Sequence, residues 1–155
     1  EDIVELEFTP QQVKAGFSDV VLVSKVIDGK FPDYERVIPK YTNQLVMNRV
    51  LIQQALQRAA ILSNEKFRGV RFVLTEKNLS IISSNSEQEE AQEEIETDYH
   101  GEALDIGFNV NYLMDGLNNI SSNTATFSFG DPNSSILITT PENQEFRYVV
   151  MPMRI

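Results

Sequence analysis

The sequence contains no cysteine and a single histidine, His100. The absence of cysteine excludes disulfide bonds and thiolate zinc sites, and it fits the reducing environment of the cytoplasm. One histidine without a neighbouring thiol or a matched carboxylate forms neither a catalytic triad nor a metal cluster, so we interpret His100 as a surface or turn residue. No phosphate-loop, dinucleotide, zinc-protease or serine-hydrolase motif occurs. The sequence therefore gives no support for catalysis, a metal or a cofactor.

The chain also lacks any apolar run near the roughly 20 residues that a membrane-spanning helix needs, and no signal-peptide pattern opens it. These absences predict a cytoplasmic protein without membrane contact. With 155 residues, 41% of them hydrophobic, the chain suffices for one ordinary domain, or one domain plus a fragment of another. Because the first residue is Glu1 rather than methionine, we expect a piece of a longer protein.

Positive and negative side chains are unevenly distributed: one long segment lacks lysine and arginine, and a different one lacks acids. The net charge of −10 argues against a protein that coats itself in nucleic acid. Lysine and arginine are absent from 78–146, whereas acidic residues are absent from 36–64. The acid-free segment holds four basic residues, which are Arg36, Lys40, Arg49 and Arg58. This distribution indicates two differently used faces.

Short apolar or alternating segments predict a chain made mostly of strands. The predicted strands span 3–8, 12–17, 20–26, 69–75, 78–83, 102–108, 124–129, 134–140 and 145–151. Glu76-Lys77 is expected to join two of them into a hairpin, and the sequence GDPN at 130–133 predicts a tight turn.

Two segments have helical periodicity instead. Residues 44–63 predict a helix of about five turns, and 109–120 predict a shorter one. The apolar face of the long helix would hold Leu45, Ile52, Leu56 and Ala59. Many strands with two helices indicate an α+β domain with its helices on one face of antiparallel sheet.

The polar side of the long predicted helix carries no acid. It presents Arg49, Gln53, Gln57 and Arg58. Glutamine and arginine can donate hydrogen bonds to a phosphate backbone, which glutamate would repel. The face is either directed at DNA, with weak and sequence-independent contact, or free of acids by chance.

The segment 86–98 contains seven carboxylates and no basic residue. A calcium loop would need precise ligand spacing around a turn glycine, which is absent here. We interpret the segment as a solvated face, with docking to a basic partner as the alternative. Ile61 and Leu62 at the predicted helix end are interpreted as core rather than interface. Phe67 lies between Lys66 and Arg68, where an aromatic side chain does not easily reach the core.

The chain ends in the apolar sequence YVVMPMRI at 148–155. Pro152 must end strand pairing because it has no N–H group, which places Met153 and the two residues after it at the rim of a sheet. Methionine suits a groove that accepts varied apolar peptides, since its thioether is flexible and polarizable. The alternative is a tail tucked into its own core.

Five segments carry a family resemblance: SKVIDGKFPDYERVIP (24–39), RAAILSNEKFRGVRF (58–72), NSEQEEAQEE (85–94), IGFNVNYLMDGL (106–117) and YVVMPMRI (148–155). They resemble the bacterial sliding clamp family, the beta subunit of DNA polymerase III. The resemblance covers the end of the family's second domain, at 1–39, and its complete third domain, at 40–155. It implies the sliding-clamp fold, with antiparallel sheets outside and two helices on the inner face.

The resemblance implies a ring in which two subunits of three similar domains join head to tail around duplex DNA. Such a homodimer tethers the polymerase without sequence recognition and gives it processivity. The expected partners are the alpha subunit of DNA polymerase III, the delta subunit of the clamp loader, and other polymerases and repair proteins with clamp-binding motifs. The expected location is the cytoplasm, in association with the nucleoid. Arg49, Gln53, Gln57 and Arg58 would line the hole.

By the same resemblance, partner proteins insert a short motif of glutamine and apolar residues into a pocket beside the carboxyl terminus. The matching positions are Pro32, Arg36, Val37, Phe67, Asn109, Tyr112, Ser135, Val149, Val150, Met151, Pro152, Met153, Arg154 and Ile155. Two positions depart from the family pattern: Asn133 stands where a small apolar residue is common, and Ile155 where leucine is usual. Because the rest of the pocket belongs to the missing part of the second domain, we expect weak or incomplete peptide binding by this chain.

The resemblance also implies a subunit interface between the third domain and the first domain of the other subunit. Its matching positions are Ile61, Leu62, Glu89, Glu90 and Glu93. A chain without a first domain is not expected to close a ring. Two other functions stay open at this point, namely a stand-alone peptide-binding adaptor without DNA contact and an acid–base hydrolase that uses the 86–98 carboxylates.

Overall fold

The structure is a computed structural model that describes residues 3–155. The described residues form eleven strands, two α-helices and a short 3-10 helix at Tyr34–Val37. The strands are β1 Glu5–Phe8, β2 Gln12–Phe17, β3 Val20–Lys25, β4 Asn43–Asn48, β5 Gly69–Thr75, β6 Asn78–Ser84, β7 Glu90–Glu96, β8 Leu104–Asn109, β9 Thr124–Phe129, β10 Ile136–Thr140 and β11 Asn143–Val150. The helices are α1 Arg49–Ile61 and α2 Val110–Asn118. Within this part of the chain, no helix is both long and apolar enough to cross a membrane.

The chain divides into two compact units, the first ending at Asp33 and the second spanning Tyr34–Ile155. The first unit is a three-stranded antiparallel sheet in the order β1-β2-β3. Its strand β3 is exposed at every position, including four successive apolar residues from Val20 to Val23. The predicted domain 1–39 stays a prediction, and its first two residues lie outside the described ones.

The second unit contains the same order of elements twice. The chain passes through a strand, a helix and three strands as β4-α1-β5-β6-β7, and again as β8-α2-β9-β10-β11. The opening strand of each repeat joins the sheet of the other, which gives two four-stranded sheets in the orders β7-β6-β5-β8 and β11-β10-β9-β4. All neighbouring strands are antiparallel. The exchange of opening strands ties the two repeats into one domain.

One hydrophobic core holds this domain together. Both sheets and both helices supply it, with Phe72 and Phe108 in edge-to-face contact, 5.4 Å between ring centroids. The helix α1 buries Ile52, Leu56 and Ala59, while the more amphipathic α2 buries Leu113 and Leu117. This core fixes the strand ends and loops on which the candidate site lies.

The predicted helix over 44–63 is wrong at its start. Residues Asn43–Asn48 form strand β4, in which Leu45 and Met47 are buried while Val46 is exposed. Helix α1 begins only after Asn48, whose side chain accepts a hydrogen bond from the N–H of Leu51 at 3.0 Å. Such a cap defines a helix start, and pairing with β9 holds the preceding residues extended.

Most predicted strands are confirmed, and two strands, β4 and β7, were missed. The segments 12–17, 69–75 and 124–129 match β2, β5 and β9, and the hairpin across Glu76-Lys77 joins β5 to β6. Strand β4 falls in the segment predicted as the long helix, and β7 lies inside the acidic segment 86–98. Its side chains alternate between solvent and core, and Ile95 alone in this strand is buried. The solvated face that we expected is therefore one edge of a sheet.

Candidate functional site

The carboxyl-terminal tail, residues 151–155, leaves β11 and is largely open to solvent. Met151 is 74% exposed and Ile155 is 62% exposed, whereas Val150 at the end of β11 is 2% exposed. Pro152 and Met153 are half-buried. The apolar tail is thus not tucked into the core, because the core closes at Val150.

The tail lies against the free edge of β8. Met153 donates its backbone N–H to the carbonyl oxygen of Gly107 at 2.8 Å and forms an isolated antiparallel bridge with it. Beyond Pro152, which has no N–H group to donate, the chain therefore returns to a sheet edge. The tail is held at both ends, by β11 before Met151 and by β8 at Met153.

A groove of about 340 Å³ runs beside the end of the tail. It is lined by Asn64, Phe67, Gly69, Ser84, Asn85, Met153, Arg154 and Ile155. Its walls are mainly apolar, and the amides of Asn64 and Asn85 and the hydroxyl of Ser84 are among the lining groups. A concave, mostly apolar surface with a few polar groups is typical of a peptide or ligand site.

The loop that carries Phe67 is fixed by hydrogen bonds. Asn64 accepts from the backbone N–H groups of Lys66 and Phe67 at 3.0 and 3.1 Å. The amide of Asn109 caps α2 with its oxygen and donates to the carbonyl of Phe67 at 3.3 Å with its nitrogen. The Phe67 ring is 56% exposed, with the ammonium group of Lys66 5.3 Å from its centroid. An aromatic side chain is thus presented to solvent on a rigid loop.

The helix α2 supplies Tyr112, which is exposed, and packs against β11 through Gly116 and Tyr148. A Cβ at Gly116 would lie 2.7 Å from the ring of Tyr148, so this close packing requires glycine. Burial raises the pKa of the Tyr148 phenol, with smaller contributions from Asp115 and Tyr112. Tyr148 therefore stays neutral and acts as a packing residue beside the exposed Tyr112.

The other predicted pocket residues differ in burial, from core to exposed. Val150 belongs to the core, and Val149 and Ser135 are half-buried on β11 and just before β10. Arg36 and Val37 lie in the 3-10 helix at Tyr34–Val37, where Val37 is exposed, and Pro32 belongs to the first unit. Phe67, Asn109 and the tail residues from Met153 onward are the ones that the structure brings together.

Three of the four residues predicted to face DNA already form side-chain hydrogen bonds within the protein. Arg49 donates to the carbonyl oxygen of Ser122 at 2.8 Å and to Gln53 at 2.9 Å. Gln53 in turn donates to Asn118 on α2 at 2.9 Å, so these side chains link the two helices. Gln57 and Arg58 are exposed.

The residues predicted for a subunit interface lie on α1 and β7. Ile61 is exposed at the end of α1, and Glu89 and Glu90 are exposed at the start of β7. Arg58 forms two hydrogen bonds to Glu93, at 2.8 and 2.6 Å, and they lower the pKa of Glu93. A residue predicted to face DNA is therefore paired with one predicted for the interface.

Two glycines of the site were not predicted from the sequence. Gly69 on β5 and Gly107 on β8 both lie under the side chain of Ile155. A glycine in a strand signals a close approach of another chain segment, but the sequence gives no indication of which segment approaches. The groove wall at Ser84 and Asn85 was also missed; Ser84 is the last residue of β6, and Asn85 begins the turn that leads to the unpredicted β7.

The solved structures that match this fold are DNA polymerase sliding clamps. The crystal structure of the clamp from Pseudomonas aeruginosa with ligand superposes with a TM-score of 0.88 at 44% identity, over 98% of this chain and 42% of that one. The Caulobacter crescentus polymerase III beta structure gives a TM-score of 0.90 at 40% identity, over 98% and 41%. The two-sheet, two-helix architecture is therefore the sliding-clamp fold.

Sequence comparison gives the same result at the level of the family. The family described as DNA polymerase III beta subunit, C-terminal domain, matches residues 35–154. The beta sliding clamp of Pseudomonas putida is 45% identical over all of this chain, and that of Escherichia coli is 42% identical over 98% of it. The chain belongs to the DNA polymerase III beta subunit family, the beta sliding clamps. It spans 42% of the length of each of these two relatives.

Membership of this family also identifies the chain as part of a non-catalytic protein of DNA replication. The hydrolase interpretation of the 86–98 carboxylates therefore has no support. In the structure, those on β7 follow an exposed sheet edge, where charged residues prevent edge-to-edge aggregation.

Proposed function

We propose that this chain is the partner-docking part of a ring-shaped clamp that encircles duplex DNA and gives the replicative polymerase its processivity. Short partner motifs of glutamine and apolar residues would bind beside the tail, with a leucine or phenylalanine side chain against Met151 and Met153. The partners would be the alpha subunit of DNA polymerase III, the delta subunit of the clamp loader, and other polymerases and repair proteins with such motifs.

The observation that carries the proposal is the open apolar tail on a rigid frame. Met151 and Ile155 remain exposed although the core next to them is closed. Phe67 and Tyr112 are exposed as well, on a hydrogen-bonded loop and on a helix. Because these surfaces are already ordered, a peptide would lose less entropy on binding than it would against a mobile tail. Apolar anchors in such sites each contribute about 1–3 kcal/mol.

The proposed DNA-facing surface is the exposed side of α1. The segment 36–64 has no acid, so it does not repel the phosphate backbone. Contact would come from Arg49, Gln53, Gln57 and Arg58 without reading bases. The charge of Arg58 is balanced by Glu93, and hence the attraction to DNA would be weak, as sliding along a duplex requires.

The proposed assembly is a homodimer of longer subunits. Residues 1–39 would be the end of a second domain and 40–155 the third domain. The exposed apolar strand β3 supports this division, since four successive exposed apolar residues in one strand are unusual for a complete domain. The free edge of β7, with Glu89, Glu90 and Glu93, would face basic residues of another subunit beside Ile61 and Leu62.

Replacing Met153 by alanine should weaken binding of a fluorescein-labelled peptide that contains a Gln-Leu pair followed by apolar residues. The expected loss is about 1–2 kcal/mol, which is roughly a 5- to 30-fold increase in Kd, because part of the apolar surface offered to the peptide disappears. Fluorescence anisotropy titration measures this change in Kd. A longer subunit that carries this chain as its carboxyl-terminal part should bind the peptide more tightly than the 155-residue chain does.

The matched control is Val46→Ala, which removes an exposed apolar side chain from β4, at the sheet edge opposite β11. This variant should bind the peptide as the unchanged protein does. Equal weakening by both substitutions would mean that peptide binding is non-specific, and unchanged binding by Met153→Ala would show that the pocket is misplaced.

A further inference from the structure

The last residue of the chain is seated on two glycines. Gly107 on β8 is paired with Arg71, and Gly69 on β5 is paired with Asn109, so the two glycines are diagonal neighbours on one face of the sheet. Their strand neighbours Val70, Phe72, Ile106 and Phe108 are buried on the core side. Gly69 and Gly107 therefore lie on the outer face, where Arg71 and Asp105 form an exposed ion pair.

The outer face has room for Ile155 only because these two residues lack side chains. A Cβ at Gly107 would overlap the carbonyl oxygen of Met153 and lie 2.8 Å from Cδ1 of Ile155. A Cβ at Gly69 would lie 3.1 Å from the same Cδ1 and 3.4 Å from Cγ1. Gly69 is buried although it lies on the outer face, because the tail covers it. Neither glycine has the positive backbone φ that would by itself require glycine.

We infer that Gly69, Gly107 and Ile155 form a latch that fixes the tail in the shape required for peptide docking. The latch is Ile155 seated over the two glycines, together with the hydrogen bond from Met153 to Gly107. Its members are positioning residues: they hold the backbone of Met151 and Pro152 between two fixed ends, so that the methionine side chains are presented rather than collapsed onto the sheet. The inference deepens the proposed function and rests on it for the peptide.

The two glycines should respond differently to alanine. At Gly107 the new methyl group meets backbone of the tail, which cannot move aside without breaking the Met153 hydrogen bond. At Gly69 it meets only the end of the Ile155 side chain, and Ile155→Val removes the atom in question. Ile155→Val should therefore relieve Gly69→Ala but not Gly107→Ala.

The test measures the latch and peptide binding separately on the 155-residue chain. Hydrogen exchange at the Met153 amide reports the latch without any peptide, and it should accelerate at least about 10-fold in Gly107→Ala. Titration with the labelled Gln-Leu peptide should give a Kd raised about 10-fold or more by Gly107→Ala, and about 3-fold by Gly69→Ala. The double variant Gly69→Ala with Ile155→Val should bind no more weakly than Ile155→Val alone.

Gly16→Ala is the control, since a Cβ at Gly16 on β2 meets nothing closer than a carbonyl oxygen at 4.0 Å. It should leave both readouts unchanged. Unaltered Met153 exchange in Gly107→Ala would overturn the latch, and so would altered exchange with unaltered peptide affinity. If the unchanged protein bound no peptide while Met153 exchange still responded, the docking proposal would fail and the latch would stand as a purely structural contact. Circular dichroism of each variant identifies any that fail to fold, for which the Ile155→Val and Ile155→Ala chains replace the glycine variants.

Discussion

A chain that ends at Val150 should bind the partner peptide at least about 100-fold more weakly than the 155-residue chain. The five missing residues include the exposed Met151 and the half-buried Met153, and they form the wall of the groove at Met153 and Ile155. The fold should survive, because Val150 closes the core and stays in place. Truncation removes the Met153 to Gly107 hydrogen bond and the Ile155 contact. The free energy of unfolding should therefore fall by less than about 2 kcal/mol.

Chain length is controlled by a variant that carries five glycine and serine residues in place of the tail. It should bind the peptide as weakly as the truncated chain, since its backbone is present but its apolar surface is not. Anisotropy titration and urea unfolding are run on the same samples. Truncation that changed the Kd by less than about threefold would remove the tail from the binding site altogether.

Two phenylalanines of the same domain should behave in opposite ways. Phe108 is fully buried against Phe72, so Phe108→Ala should lower the free energy of unfolding by about 3–5 kcal/mol through lost burial and the cavity left behind. Phe67 is exposed on its loop, so Phe67→Ala should change stability by less than about 0.5 kcal/mol. The same Phe67 variant should raise the Kd for the peptide roughly 3- to 10-fold.

Urea unfolding followed by circular dichroism gives both stabilities, and each phenylalanine is the control for the other. Stability lost equally in the two variants would show that Phe67 packs into the domain rather than presenting its ring. Unchanged peptide affinity in Phe67→Ala would leave that ring without the docking role that we assign to it.

Alternation of apolar residues was enough to predict most strands, because a strand with one buried face must alternate. It placed β2, β5 and β9 at their observed bounds. The helix prediction began too early because Leu45 and Met47 also fit a helical pattern that continues into Ile52. The cap at Asn48 decides the boundary, and its hydrogen bond forms only once the preceding residues pair with β9.

The acidic strand β7 could not be predicted for a different reason. Glutamate has low strand propensity, and within β7 Ile95 is the one side chain that the fold buries there. Pairing with β6 supplies the stability that the sequence of the strand lacks. The two repeats of strand, helix and three strands were equally hidden, since they share a topology without a visible sequence repeat.

The resemblance to a family gave the candidate pocket, but it did not give the support beneath it. Gly69, Gly107 and Ile155 are far apart along the chain, and their contact exists only after β5 pairs with β8 and the tail returns to the sheet edge. Asn109 illustrates the same limit. The resemblance assigns it to peptide binding, while its amide caps α2 and holds the Phe67 loop.

The central claim is that this chain is part of a ring that holds DNA by encircling it, and topology tests that claim most directly. A full-length subunit carrying this chain is loaded onto circular DNA, and the amount that stays bound is measured by gel filtration before and after a single cut. We predict retention on the closed circle and rapid loss once the DNA has free ends. Protein that stays on linear DNA, or that is never retained on the circle, would contradict encirclement and favour a peptide-binding adaptor that does not enclose DNA.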